Sequence, residues 1–208
     1  MSALLHKEYL VNRQNILITI LIIILGGFIM ADSFQIPLFL PLIFGAIQPF
    51  SDAKNVDINK NEILINSLPT TRKKIVLSKY VFSVIVVLVY LSLVIGINSF
   101  VPMFEPNTML QFLLSFVGAV LFLSFYYPMF YLLGPRFLTA GMSVVAFLAL
   151  AVAFPVINMG ARNNYWGIEA YINSFSMIQF TIGMIIILVT GTTSSYFLSS
   201  SLYKKKDF

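Results

Sequence analysis

Apolar residues along this chain fall into six runs, at 15–31, 34–50, 75–101, 109–133, 137–157 and 171–202, separated by short polar breaks. A helix needs roughly 20 apolar residues to cross the hydrocarbon core of a bilayer, and the runs are close to or above that length. The pattern predicts six spanning helices. Only Asp32 and Ser33 separate the first two runs, with Pro37 and Pro41 just beyond. Proline interrupts a continuous helix, so these runs read as a tight hairpin, with re-entrant insertion as the alternative. The first run is longer than the apolar part of a secretory signal and has no clear A-x-A cleavage site near Ala31. It is therefore read as a retained helix.

Composition supports this picture. The 208 residues are 59% hydrophobic and 10% charged, with mean hydropathy +0.90, whereas about a quarter of a soluble domain is charged. A water-soluble fold of this size has no means of hiding that much apolar surface. The expected architecture is an all-α membrane protein, a single transmembrane domain over 1–208 built as a bundle of six helices. With no cysteine, neither a disulfide framework nor a thiolate metal site is available.

The net charge of +5 sits in short clusters beside the apolar runs, which speaks for membrane topology rather than nucleic acid. Alternating the six runs puts Lys7, Arg13, Lys54, Lys60, Arg72, Lys73, Lys74, Lys79, Arg136, Lys204, Lys205 and Lys206 on one side and only Arg162 on the other. The positive-inside rule then places both termini in the cytoplasm.

The longest polar connection, 51–74, falls on that inner side. Asn59 is placed to cap a short helix with Glu62 at its third position, and Pro69 ends it after Leu68. Leu64, Ile65 and Leu68 would share one face. So short a helix is unstable alone in water, and it must pack on lipid headgroups or on another protein. Arg72, Lys73 and Lys74 follow at the positive end of the next helix dipole, an unfavourable place for cations. Topology and anionic lipid account for them, and Lys79 is grouped with them as an inner-leaflet basic cluster.

Small residues form two stripes: Ala146, Ala149 and Ala153 in the fifth run, and Gly191, Ser195 and Ser199 in the sixth. Such stripes let helix backbones approach closely, either within the chain or at a dimer face. On the outer side, Tyr165 and Trp166 suit the membrane interface.

Candidate chemistry is sparse. His6 is the only histidine, and no H-E-x-x-H motif, Cys-His pair or metal-ligand set can be assembled. Asp32, Glu105 and Glu169 fall at outer ends, and Asp52, Asp57 and Glu62 at the inner side, so no pair of carboxylates sits within a span to act as acid and base. No ionisable residue is evident near a span midpoint, where a secondary transporter places its coupling site. Asn98, Gln111, Tyr126, Tyr127 and Gln179 either line a cavity or bond across helices. No G-x-x-x-x-G-K-[ST] sequence is present, so ATP binding through a P-loop would need a separate subunit.

Two stretches carry a resemblance. Asn61-Glu62-Ile63-Leu64-Ile65-Asn66-Ser67-Leu68-Pro69-Thr70-Thr71-Arg72-Lys73-Lys74-Ile75-Val76-Leu77-Ser78-Lys79-Tyr80, with its Glu, Ser-Leu-Pro turn, basic cluster and Lys-Tyr entering the third span, is one. Leu4-Leu5-His6-Lys7-Glu8-Tyr9 is the other. In these, and in its six-span layout, the chain resembles the permeases of type 2 ATP-binding-cassette exporters, in particular small bacterial members. The resemblance implies a half-transporter in the plasma membrane that pairs with a second permease, as homodimer or heterodimer, and binds two copies of a cytosolic ATPase. ATP and magnesium would belong to that ATPase, with no cofactor in this chain and no nucleic-acid partner. The segment from Lys60 to Leu68 would be the coupling helix, with Lys60, Glu62, Ile63, Leu64, Ile65, Leu68 and Pro69 at the ATPase contact. Family members export amphipathic or lipid-like cargo, including phenol-soluble modulins and peptide antibiotics.

The chain departs from the family pattern in two ways. It lacks the large extracellular domain of some members, and Leu4, Leu5, Tyr9, Leu10 and Val11 define no clean apolar face for an interfacial helix. The rival reading is a membrane immunity or scaffold protein that binds a peptide or lipid without transporting it. An intramembrane enzyme would lack an acid, base and nucleophile set.

Overall fold

The computed structural model describes residues 2–30, 71–100, 109–134 and 176–205, and these form four helices: α1 Ser2–Met30, α2 Arg72–Phe100, α3 Met109–Leu133 and α4 Met177–Lys205. All four are long and apolar enough to cross a membrane. The expected spans at 34–50 and 137–157 lie outside the described residues, as does the connection at 51–70.

α1, α2 and α4 have 29 residues each, which at 1.5 Å per residue makes them about 43 Å long. The hydrocarbon core is about 30 Å thick, so each helix has length to spare for polar residues at its ends. This is why α1 begins at Ser2 rather than near 15. No proline interrupts residues 2–30, and the polar residues Glu8 and Asn12 are buried against neighbours instead of ending the helix.

Helix ends follow local chemistry. The carbonyl of Thr71 accepts from the amides of Lys74 (2.9 Å) and Ile75 (3.3 Å) at the head of α2. α4 starts at Met177, later than the apolar run at 171, because Ser176 and Gln179 cap it reciprocally. The Gln179 amide donates to Ser176 Oγ at 3.3 Å, and the Ser176 amide donates to Gln179 Oε1 at 3.1 Å. α3 closes on Gly134, whose φ of 83° is open to glycine and whose amide donates to Phe130 O at 3.1 Å.

Contacts fix the helix directions. Glu8 meets Lys79 and Thr19 lies beside Tyr90, so α1 and α2 run parallel. Gly191 faces Leu121, Ser195 meets Ser124 and Tyr203 meets Tyr131, so α3 and α4 also run parallel. Arg72 reaches Lys204 while Tyr80 reaches Ser195, so α2 opposes α4. The core between them includes Val87, Tyr90, Leu91 and Val94 of α2 and Leu123, Tyr126, Tyr127 and Phe130 of α3. Outward faces are apolar as well: Leu17, Ile18, Leu21, Ile22 and Leu25 on α1 and Ile182, Ile185, Ile186 and Val189 on α4 are exposed. Helices apolar on every side suit a bilayer rather than water.

Candidate functional site

Polar and charged side chains in the described helices gather where the head of α2 meets the start of α1 and the ends of α3 and α4. Lys79, two turns into α2, lies at the centre. Its ammonium is 3.9 Å from Glu8 Oε2 and 6.0 Å from the centroid of the Phe130 ring. Its side chain is 6% exposed and that of Glu8 2%, so this is a buried charge pair. Lys7, 31% exposed, donates to the other Glu8 oxygen at 2.9 Å. Stripping one partner from a buried pair generally costs about 3–5 kcal/mol, because the charge left behind is uncompensated. Here Lys7 lowers that cost for the loss of Lys79, since Glu8 keeps one cation.

α3 holds the same point from the other side. The Tyr127 hydroxyl donates to the carbonyl of Lys79 at 3.2 Å, which leaves the Ser83 hydroxyl as donor to Tyr127, 2.5 Å away. The rings of Tyr126, Tyr127, Phe130 and Tyr131 stack or meet edge to face along α3, and Tyr203 of α4 extends the series at 5.1 Å from Tyr131. This aromatic wall packs around the Lys79 side of the bundle.

A second network binds α2, α3 and α4. Pro128 sits inside α3 and has no amide hydrogen, so the carbonyl of Ser124, one turn back, loses its helical donor. The Ser195 hydroxyl of α4 donates to that carbonyl. With its proton so used, Ser195 accepts from the Tyr80 hydroxyl (2.5 Å), and Tyr80 in turn accepts from Ser199 (2.9 Å). The relay runs Ser199 to Tyr80 to Ser195 to the Ser124 carbonyl, with every member buried.

At the outermost level Arg72 donates to the carbonyls of Lys204 (2.8 Å) and Tyr203 (3.4 Å). Its charge is unfavourable at the head of its own helix but lies on the negative end of α4, which compensates it. Lys73 and Lys74 are exposed, so the four cations of the expected leaflet-facing cluster divide: those two face outward, Arg72 caps α4, and Lys79 is buried in the bundle. Among the stripe residues, Ser195 and Ser199 bond within the chain, and a Cβ on Gly191 would lie 3.1 Å from Leu121 Cδ2. Asn98 and Tyr126 are buried, while Gln111 and His6 are exposed. Lys60, Glu62, Ile63, Leu64, Ile65, Leu68, Pro69, Ala146, Ala149 and Ala153 lie outside the described residues.

Sequence reasoning missed Glu8 as a site residue. The available signal was weak: Glu8 follows His6 and Lys7, seven residues ahead of the first apolar run, where a carboxylate reads as part of a solvated polar lead. It also missed Pro128 as the reason α4 carries a serine at 195. Among the described residues no three metal-ligating side chains cluster, and the polar contacts given above tie the helices to one another.

Comparison with known proteins fits this arrangement. No curated protein and no solved structure matches the chain. A family model described as ABC-2 family transporter protein matches residues 3–204. The match takes in all of the polar network, from Glu8 to Lys204, and both stretches that carry the resemblance. Members of this family are membrane subunits that lack an ATPase, and membership implies partnership with an ABC ATPase. By a match that spans nearly its whole length, the chain belongs to the ABC-2 family of transporter proteins.

Proposed function

We propose that this chain is the permease subunit of an ATP-driven exporter in a bacterial plasma membrane, moving amphipathic or hydrophobic peptides or lipid-like compounds outward. Two copies of a cytosolic ATPase would engage the inner connection, with Lys60 to Leu68 as coupling helix, and a second permease would complete the pathway. The family match over residues 3–204 carries this reading. Helix directions support the six-span layout. α1 and α2 run parallel, as do α3 and α4, and a return crossing between the members of each pair is the reading this direction supports. The apolar runs at 34–50 and 137–157 are where the chain has the length for that crossing. The basic residues gathered at the α2 head and the α4 tail, read with the positive-inside rule, support a cytoplasmic location for that end.

Co-purification decides the matter. The chain, expressed with its ATPase and extracted under conditions that preserve complexes, is expected to retain the ATPase and to support ATP hydrolysis. Replacing Leu64 and Leu68 by aspartate is expected to abolish that hydrolysis. Failure to bind any ATPase, or hydrolysis indifferent to Leu64 and Leu68, overturns the proposal. ATP-dependent accumulation of a fluorescent amphipathic peptide inside inverted vesicles tests the cargo class.

A further inference from the structure

We infer that Glu8 and Lys79 are positioning residues forming a strut between α1 and α2, so that a displacement at the head of α2 carries α1 with it. The inference rests on the permease reading above and adds the route by which movement leaves α2. Glu8 and Lys79 belong to the two separate stretches that resemble known permeases, and the fold brings them to 3.9 Å. Both are buried, so the contact is strengthened by low dielectric and shielded from salt. Lys79 lies seven residues beyond Arg72, about 10 Å along the helix axis. It is therefore close to the connection on which an ATPase would act.

The surroundings favour a strut over a decorative pair. Lys79 is held at its ammonium by Glu8 and by the Phe130 ring, and at its carbonyl by Tyr127, so its position in the bundle is over-determined. Glu8 is fixed by Lys7, and its carbonyl accepts from Asn12 Nδ2 at 3.1 Å. Two rigidly held ends joined by one charge contact transmit displacement where an apolar contact between the same helices would slide. Charge balance alone does not require Lys79, because Lys7 already neutralises Glu8.

That redundancy makes the test possible. Lys79→Met keeps the length and apolar stem of the side chain and leaves Glu8 paired with Lys7. The purified complex of this variant with its ATPase is expected to assemble in native amount yet hydrolyse ATP about fivefold or more slowly, the low end of coupling effects. The chain has no cysteine, so Glu8→Cys with Lys79→Cys introduces a unique thiol pair. This double variant is expected to be equally slow, and joining the thiols with a short bismaleimide is expected to restore the native rate. Native hydrolysis by Lys79→Met, or a tether that restores nothing, overturns the strut while leaving the permease reading intact. A native chain that retains no ATPase removes both.

Discussion

The hydroxyl of Ser195 on α4 donates to the main-chain carbonyl of Ser124 on α3, the carbonyl that Pro128 deprives of its own helical donor. One residue thus repairs a defect in a neighbouring helix, and in doing so fixes how the two helices register. In hydrocarbon an unsatisfied carbonyl is costly, and a proline within a spanning helix is tolerated where a neighbour supplies the missing donor.

Ser195→Ala is therefore expected to destabilise the protein by about 1–2 kcal/mol, since it strands the carbonyl and leaves the Tyr80 hydroxyl with Ser199 alone. Adding Pro128→Ala restores the helical donor and should recover part of the loss. Unfolding of the four variants of this cycle in detergent measures the coupling. Additive effects would show that Pro128 and Ser195 do not act on the same carbonyl.

Tyr80→Phe keeps the ring against Tyr127, at 4.5 Å between centroids, and removes only the hydroxyl. Both Ser195 and Ser199 then lose a partner, and a loss of about 1–2 kcal/mol is expected in the same assay. Tyr196→Phe removes a hydroxyl whose contact, to the Lys73 carbonyl at 3.5 Å, is exposed and long, and should cost far less.

Gly191 grades with side-chain size. A methyl group there meets only the flexible end of Leu121, at 3.1 Å, so Gly191→Ala should be close to neutral. Gly191→Ile forces α3 and α4 apart and is expected to cost about 1–3 kcal/mol, the usual penalty of overpacking. Equal tolerance of both would mean that the helices do not approach at this point.

Arg72→Gln removes the cation from the end of α4. Hydrogen exchange at the amides of the last turn, near Tyr203, should accelerate as that turn frays, with little change in the middle of α4. Both bonds leave one guanidinium nitrogen, Nη1, so Arg72→Lys, which keeps the cation and a single donor nitrogen on a shorter and more flexible stem, should rescue this in part.

Much of the fold was legible in the chain. The run at 109–133 coincides with α3, and that at 75–101 starts three residues after α2 does and ends one residue beyond it. The first and last runs gave the right helices with the wrong starts. At 15, the polar residues before the run looked like an end to the helix, although Glu8 and Asn12 are buried within it. At 171, apolar length ran past the true start, which the Ser176 and Gln179 cap sets. The site was less legible. Arg72, Lys73, Lys74 and Lys79 read alike along the sequence, and nothing local distinguishes the lysine that is buried from those that face outward.

The sequence by itself determined that this is a helical membrane chain and that its cations collect beside particular runs. Both follow from the transfer of side chains between water and lipid, which adds up along a segment whatever its neighbours do. The tertiary structure alone decided that Glu8 meets Lys79, that Arg72 caps α4, and that Ser195 serves the carbonyl freed by Pro128. These are pairings between residues far apart in the chain. Each depends on helix direction and register, which packing fixes and composition leaves open.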